Sequence, residues 1–416
     1  MDVMKRIFPA LLSSLLLTGC FSRPPVSGEQ PVTEAETYGD METEQRYAAQ
    51  CIDGFLFSKD TLPSSTPQGS SMTWKVLSGK ASINDNIITK EDGAEEYEPL
   101  SLEVQWKDQS LTFSDLTLLD EKVGYVCAYF TASGRDKEQL KLAYTYNSVY
   151  WFKLRHDRGI LKPGIGTGRL RDPSIVRRKG GGFTLLATQG YDNDSIYAYD
   201  SDHLITFENE RVLKLNASSD ALPMSETQAW APEAFYDAYL DTYVIVWSSV
   251  RDGGVFYSTS KDLETVSLPR RLMDPGYTII DATLTRTKNG FTALIKDERE
   301  PMEEHSQLFR GTGLTWDTID TFSEPIYERH QVEGPMIQKA MEKPGWYIFA
   351  DDYTRGAYKC LYSGDIEQGS FQELDDPELM IPLENPAHGY SIAVTWKELE
   401  RLMNAFDGYC SVFFYQ

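Results

Sequence analysis

The sequence predicts an all-β protein: a five-bladed β-propeller that follows a small N-terminal β-sandwich. Two observations support this prediction. Residues 57–119 contain only short alternating runs of apolar and polar residues, without a helical pattern. From residue 121 onward a strand pattern recurs about every 50 to 60 residues, a spacing typical of four-stranded propeller blades.

The N-terminal module is assigned to residues 51–119. Its alternating runs are separated by Gly, Asn and Asp, and they read MTWKVLSG, ASINDNIIT, LSLEVQW and QSLTFSDLTLL. Strands without intervening helices pack most simply as a sandwich. The stretch TLPSSTPQGSSMTWKVLSGKASINDNIIT also resembles the atrophied bacterial immunoglobulin-like domains found on exported enzymes.

Each repeat after residue 121 opens with a turn that leads directly into a strand. The four openings read LRDPSIVRR, WAPEAFYDA, IIDATLTRT and VEGPMIQKA. A second apolar run follows each of them: GGFTLLAT, DTYVIVWSS, NGFTALIKD and PGWYIFADD. These runs predict the first two strands of four blades.

A fifth blade is predicted to be shared between the two ends of residues 120–416. NPAHGYSIAVTW supplies an opening strand late in the chain, whereas VGYVCAYFT and LKLAYTYNSVYWFKL supply the later strands directly after the sandwich. Pairing these segments would close the ring. KELERLMNAF, which follows the last strand, predicts a short peripheral amphipathic helix.

The N-terminus predicts export. MDVMKRIFPALLSSLLLTGC has a basic start, an apolar stretch and a small-residue ending, the pattern of a secretory signal. Its ending resembles the bacterial lipobox, which implies a signal peptide over residues 1–19, cleavage before Cys20 and lipidation of that thiol. Residues 20–50 are predicted to form a flexible tether. We therefore expect a bacterial lipoprotein anchored to a membrane of the cell envelope.

Composition excludes some partners. The formal net charge of -23 argues against nucleic acid, whose phosphates require Lys and Arg, and against a polybasic membrane-surface protein. Hydrophobic residues make up 41% of the chain, enough for a substantial core. We expect a monomer that handles a neutral ligand.

Four cysteines remain besides Cys20, namely Cys51, Cys127, Cys360 and Cys410. An exported protein can pair four thiols in three ways, but buried free thiols are the favoured prediction. Their spacing does not resemble a zinc site.

Three acidic residues stand in the repeated openings: Asp172, Asp281 and Glu333. The opening strand of a propeller blade lines the central channel, so acids at equivalent positions in three blades are predicted to converge at one mouth. Their motifs contain no basic partner. Like charges raise one another's pKa values, which is what a general acid needs.

The motifs R-D-P, W-A-P, I-D-A-T-L and E-G-P, in this order and at this spacing, resemble glycoside hydrolase family 43. The likeness runs from about residue 121 to residue 400 and implies a five-bladed propeller that cleaves arabinosides, xylosides and related sugars with inversion. It implies that Asp172 is the general base, that Asp281 positions and tunes the general acid, and that Glu333 is the general acid. No cofactor is required.

Further candidates are less specific. Trp230 offers a flat ring for a sugar face, Arg171 and Arg355 offer contacts to hydroxyl groups, and Glu233 is read as structural or as a further substrate contact. The resemblance also implies that His388 faces the channel and holds a structural calcium ion, largely through water. Ala387 stands where the family usually has Arg, which places a detail of the pocket rim in doubt.

Two alternatives remain open. The first is a propeller on the cell surface that binds glycan without cleaving it, although all three acids are present. The second is a related five-bladed hydrolase that acts on fructans or galactans. Fructan hydrolases usually have an Asn-Asp-Pro-Asn-Gly opening and Glu-Cys at the acid position, whereas this chain has Glu333 followed by Gly334.

Overall fold

A computed structural model describes residues 33–374, 383 and 385–406 of the chain. Over these residues the chain forms 26 strands and two α-helices, which confirms the all-β class. The predictions for the signal peptide, Cys20 and Cys410 concern residues outside this described part of the chain. No described helix has the length and apolar character needed to cross a membrane.

The N-terminal elements are one helix and six strands. They are α1 Thr43–Gln50, β1 Phe55–Phe57, β2 Met72–Ser78, β3 Ala81–Asn84, β4 Ile87–Lys90, β5 Glu98–Trp106 and β6 Gln109–Leu119. Four of the strands form a sheet in the order β1-β6-β5-β2, and β3 pairs with β4 in a hairpin. The strands therefore lie where the alternating runs predicted them. The likeness to an immunoglobulin-like domain stays a prediction.

The remaining strands form five four-stranded sheets. In chain order they are β7 Lys122–Thr131, β8 Lys141–Thr145, β9 Phe152–Lys153, β10 Arg171–Arg177, β11 Phe183–Thr188, β12 Ser195–Ser201, β13 Glu208–Lys214, β14 Trp230–Asp237, β15 Thr242–Ser249, β16 Gly254–Ser260, β17 Arg270–Met273, β18 Ile279–Arg286, β19 Phe291–Asp297, β20 Leu308–Gly313, β21 Ile319–Pro325, β22 Val332–Lys339, β23 Trp346–Asp352, β24 Ala357–Ser363, β25 Gln372–Glu373 and β26 Pro386–Thr395. A single 3-10 turn, Leu154–Asp157, follows β9, and α2 Trp396–Phe406 follows β26.

Each sheet is antiparallel and follows chain order except the last. The first to fourth sheets are β10–β13, β14–β17, β18–β21 and β22–β25, and the fifth runs β26-β7-β8-β9. The predicted pairing of the late strand with the strand after the N-terminal module is confirmed, with Ser391 opposite Cys127. The predicted helix after the last strand is confirmed as α2.

The five sheets are joined through the first strand of each. We call β10, β14, β18, β22 and β26 the ring strands, because each contacts the next and β26 contacts β10. The strands beside them, β11, β15, β19, β23 and β7, are called partner strands. β11, β15 and β19 are buried along their whole length because sheets cover both of their faces. The arrangement is consistent with a β-propeller.

The structure differs from the tether prediction over residues 33–50. Tyr38 and Tyr47 are buried in this segment, and α1 packs against the sheets. The Tyr38 hydroxyl donates a hydrogen bond to Asp237, which also accepts one from the Trp316 indole at 2.9 Å. The two tyrosines and the adjacent alanines supply the apolar surface that packs, although the average composition of this segment is polar.

The N-terminal module has no core separate from the ring of sheets. Leu102 and Phe113 of the module belong to the same cluster of buried side chains as Ile196 and Ile245 of the first two sheets. Residues 33–406 are therefore one packed unit wherever they are described, and the module contributes to the stability of the sheets.

The three described cysteines are free thiols, as predicted. Cys127 is fully buried, and Cys51 and Cys360 are partly buried. Burial raises the pKa of the Cys51 thiol to about 12, so this group is unreactive at neutral pH.

A buried ion pair fixes α2 against the first sheet. The Arg177 guanidinium donates to both carboxylate oxygens of Glu398, at 2.6 and 2.9 Å, and the two side chains are 5% and 4% exposed. Burial opposes ionisation of Glu398, but Arg177 and the backbone N–H of Thr395 outweigh it, so the pKa of Glu398 is lowered.

Glu398→Gln should destabilise the protein by about 3 to 5 kcal/mol at pH 7, because it leaves the Arg177 charge buried without a partner. The measurement is the urea midpoint of the two proteins from pH 7 to pH 3. The pKa of Glu398 is lower in the folded protein than in the unfolded chain. Its contribution to the free energy of unfolding is therefore fully present above the unfolded-state pKa and is lost as the pH falls through the folded-state pKa. The difference between the proteins should therefore shrink in acid. Glu91→Gln, on an exposed acid, serves as the control, and an equal loss in both variants would contradict the prediction.

Candidate active site

Every ring strand carries a β-bulge near its start. In the first sheet Arg171 pairs with Thr188 and Ser174 pairs with Leu186, so one extra residue lies between them on the ring strand. The other four ring strands shift register at the same place. The first residues of the five bulges are Asp172, Ala231, Asp281, Gly334 and His388.

Four of these five residues have left-handed backbone geometry. Their φ angles are 45° at Asp172, 47° at Ala231, 54° at Asp281 and 52° at Gly334. Non-glycine residues seldom adopt such angles, and those that do concentrate at functional sites. This explains the Pro and Gly in the opening motifs, because ladder pairing is interrupted at the bulge.

The bulges bring two of the predicted acids together with the predicted histidine. His388 Nδ1 lies 4.0 Å from Asp172 Oδ1 and 3.8 Å from Asp281 Oδ2. Asp281 Oδ2 also accepts a 3.0 Å hydrogen bond from the backbone N–H of Gly334. Asp172, Asp281 and the Glu333-Gly334 peptide therefore meet at one mouth of the ring.

Glu333 is not structurally equivalent to Asp172 and Asp281, contrary to the sequence-based expectation. It pairs with Asp351 and lies one residue before the bulge, at the position that Arg171 and Trp230 occupy in other sheets. Gly334 occupies the bulge itself. A β-carbon at Gly334 would lie 2.5 Å from His388 Cγ, so only glycine lets the two strands approach this closely.

Glu333 has a basic partner that the motifs did not reveal. The Lys296 ammonium lies 3.1 Å from Glu333 Oε2 and 2.5 Å from Glu298 Oε2. The Lys296 side chain is only 3% exposed. A lysine within the wholly buried strand β19 was the available signal for this contact, because buried lysines are almost always paired.

Burial is the largest influence on the pKa values of Asp281 and Asp351. It raises the pKa of Asp281 to about 7; His388 and Lys296 act against this shift, while Glu333 and Asp172 add to it. Burial likewise raises the pKa of Asp351, on which Glu333 has a further raising effect. Asp351 was not predicted as a site residue, although it stands in a buried strand directly opposite Glu333.

Glu233 lies within the ring of strands beside the acids. Burial raises the pKa of its carboxyl group well above the ordinary value, while a hydrogen bond with Thr283 acts against the shift and Asp281 adds to it. This environment is compatible with the structural role predicted for Glu233.

Trp230 and Arg171 lie together at the rim. The Trp230 indole donates a 2.9 Å hydrogen bond to the carbonyl oxygen of Tyr191, and the two rings meet edge to face. The Arg171 guanidinium lies 4.9 Å from the centre of the Tyr191 ring and 3.3 Å from Glu138. Tyr191 is 54% exposed, so it offers an aromatic surface that was not predicted.

Arg355 is placed differently from the other predicted arginine. It lies in the turn between β23 and β24, its side chain is 62% exposed, and its nearest acidic neighbour is Asp352 at 3.9 Å. The described contacts do not connect Arg355 to Asp172, Asp281 or Glu333.

In the described part of the chain, the side chains around His388 do not form a set that could bind calcium directly. Those residues contain no group of three or more His, Cys, Asp or Glu side chains with the geometry to hold a metal ion. A structural calcium ion held by His388 largely through water stays a prediction.

Comparison with known proteins gives the class of the chain and then its family. Residues 120–400 match the sequence model of a protein family that is described as a probable glycosyl hydrolase domain. The class of the chain is therefore that of the glycoside hydrolases. The chain belongs to this family, which is related to glycoside hydrolase family 43.

A curated relative is an α-L-arabinofuranosidase of Bifidobacterium longum subsp. longum. It is 23% identical over 306 residues, which cover 56% of this chain. The chain spans only 28% of the length of that relative.

Two solved structures are each similar to this chain over about half of its length. A thermostable family-43 glycoside hydrolase is 15% identical, with 55% of this chain and 80% of that chain covered and a TM-score of 0.43. An α-L-arabinofuranosidase from Podospora anserina, solved with cellotriose, is 15% identical, with 53% and 73% covered and a TM-score of 0.40.

Gly334→Ala should destabilise the protein by more than the cost of placing an alanine in the left-handed backbone geometry. The new methyl group would collide with His388 and separate it from the acids. Gly39→Ala is the matched control, because Gly39 has a φ of 57° and open space around it. Thermal unfolding should show a small loss for the control, about 1 to 2 kcal/mol, and a clearly larger loss for Gly334→Ala. Equal losses would contradict the proposed close approach.

Proposed function

We propose that this protein is an inverting glycoside hydrolase that releases arabinofuranose, xylose or a related sugar from plant-type polysaccharides or oligosaccharides. The observation that carries the proposal is the convergence of Asp172, Asp281 and His388 on the Glu333-Gly334 peptide. Inversion requires the two working carboxyl groups to lie about 6.5 to 9.5 Å apart, and the proposal places them on two different ring strands. The five sheets are the blades of a five-bladed propeller.

Asp172 is the general base in this mechanism. Its carboxylate takes a proton from the attacking water while the water oxygen forms a bond to the anomeric carbon. His388 Nδ1 lies 4.0 Å from the Asp172 carboxylate.

Glu333 is the general acid. It gives its proton to the glycosidic oxygen as the bond between that oxygen and the anomeric carbon breaks, so the leaving group departs as a neutral alcohol. Asp281 positions and tunes this acid, because its Oδ2 accepts the N–H of the residue that follows Glu333.

Substrate specificity depends on the rim. Trp230 and Tyr191 present aromatic surface suited to the apolar face of a sugar ring, and Arg171 beside them presents donors for hydroxyl groups. Arabinofuranosidase or β-xylosidase activity is the favoured outcome. A related fructan or galactan hydrolase and a glycan-binding protein without turnover are the competing ones.

The protein acts outside the cytoplasm as a monomer. The leader-like residues 1–19 and Cys20 support export followed by lipidation, which would anchor the chain to a membrane of the cell envelope. The net charge of -23 supports a neutral carbohydrate ligand rather than nucleic acid.

Asp172→Asn and Glu333→Gln should each lower kcat/KM by at least about 100-fold without a change in fold, because each removes one proton-transfer group. The measurement is a screen of residues 21–416 on 4-nitrophenyl α-L-arabinofuranoside, β-D-xyloside and β-D-galactofuranoside, together with arabinan and arabinoxylan. Glu103→Gln, on a half-buried strand position of the N-terminal module, is the control variant. Near-normal activity in either site variant would refute the role assigned to that residue. Sugar binding without any hydrolysis would favour the glycan-binding alternative.

Cys20→Ser should move the protein from the membrane fraction to the soluble exported fraction, because the lipid anchor cannot form. Fractionation of cells that express the full-length chain tests this, with Cys51→Ser as the matched control. Persistence of the Cys20→Ser protein in membranes would refute the lipoprotein proposal.

A further inference from the structure

The third sheet departs from the first, second and fourth sheets at the junction between neighbouring sheets; in the fifth sheet the equivalent residue is Phe130. Thr188, on the first partner strand, accepts a 2.8 Å hydrogen bond from the bulge N–H of Ala231 in the next sheet. Ser248 accepts the bulge N–H of Asp281 at 3.0 Å in the same way. On β23 the corresponding acceptor is Asp351, which receives the backbone N–H of His388.

Lys296 occupies this acceptor position on β19. Thr188, Ser248, Lys296 and Asp351 all pair with the residue just before the bulge of their own sheet. An ammonium group carries three donors and no acceptor, so Lys296 cannot receive the bulge N–H of Gly334. That N–H donates to Asp281 instead.

The replacement of an acceptor by lysine therefore has two effects. It ties the Asp281 carboxyl group to the backbone beside Glu333, and it gives Glu333 a cationic partner at 3.1 Å. Lys296 is held in turn by Glu298 and lies 5.5 Å from the centre of the Tyr353 ring. Burial alone lowers the pKa of Lys296, but Glu333, Glu298 and Asp281 outweigh it and raise the pKa, so the group remains charged.

We propose that Lys296 is the positioning residue of the general acid: it holds Glu333 in place and stabilises the carboxylate that forms when Glu333 gives its proton to the leaving oxygen. This inference rests on the proposed function. In the step concerned, the O–H bond of Glu333 breaks, an O–H bond forms on the leaving oxygen, and the negative charge left on Glu333 faces the Lys296 ammonium. A fixed charge that meets developing charge lowers the barrier, because it need not reorganise during the reaction.

The kinetic test compares wild type, Lys296→Met, Glu333→Gln and the double variant. The substrates are the phenyl and 2,4-dinitrophenyl glycosides of the sugar found in the hydrolysis screen. Lys296→Met should lower kcat on the phenyl glycoside by about 100-fold. The loss should be much smaller on the 2,4-dinitrophenyl glycoside, whose leaving group needs little protonation. The double variant should be no slower than Glu333→Gln, because Lys296 acts through Glu333.

Lys141→Met is the matched control. Lys141 is 4% exposed and lies 3.3 Å from Asp157, so it is also a buried lysine in an ion pair. Any decrease in the kcat of Lys141→Met should be the same on both glycosides. An equal loss on both substrates in Lys296→Met, or multiplicative losses in the double variant, would overturn the inference. If Glu333→Gln itself shows no dependence on the leaving group, the proposed function fails first.

A second measurement does not need turnover. Urea midpoints of the same four proteins form a double-mutant cycle for stability. The proposal expects the double variant to lose clearly less than the sum of the two single losses, since both single variants remove the same contact. Additive losses would overturn the contact between Lys296 and Glu333 even in a protein without measurable activity.

Discussion

The bulge at the start of each ring strand is the feature on which the site depends. By inserting one residue, it interrupts the ladder to the partner strand and turns a backbone N–H toward the neighbouring sheet. The side chains Thr188 and Ser248 then accept these N–H groups, so adjacent sheets are joined by hydrogen bonds where the acids gather. The left-handed geometry of Asp172 and Asp281 is strained.

The acids at this mouth are stabilised by three different kinds of partner. Asp172 has the imidazole of His388, Asp281 has the backbone N–H of Gly334, and Glu333 has the ammonium of Lys296. Chemically similar carboxyl groups thus have different surroundings within one site, an arrangement that suits different roles in acid and base chemistry. In the ring of five similar sheets, the bulge position holds Asp in the first and third sheets, Gly in the fourth and His in the fifth, while Glu333 lies one residue before its bulge.

Much of the fold and part of the site could be predicted from the sequence. The alternating runs and the repeat predicted the strands, the shared fifth sheet and the meeting of Asp172 with Asp281. The offset of Glu333 could not be predicted, because a bulge adds a residue without marking it in the sequence. Lys296 was missed because functional residues were sought in the opening motifs, whereas it stands on the second strand of a repeat.

The N-terminal segment shows a different reason for failure. Pro, Glu and Thr dominate its composition and predicted a tether, yet Tyr38 and Tyr47 are buried against the sheets. Average composition does not register two well-placed aromatic side chains. Burial of one such ring removes about 150 to 250 Å² of surface from water.

The shared fifth sheet links the integrity of the chain to the assembly of the site. β26 carries His388 and pairs with β7, a strand from which most of the chain separates it in sequence. Contacts between such distant segments carry a high entropic cost and form late in folding. A nascent or truncated polypeptide that lacks β26 would hold Asp172, Asp281 and Glu333 but neither a closed ring nor the imidazole between the two aspartates. Catalytic competence would therefore arise only after β26 has been synthesised and has paired with β7.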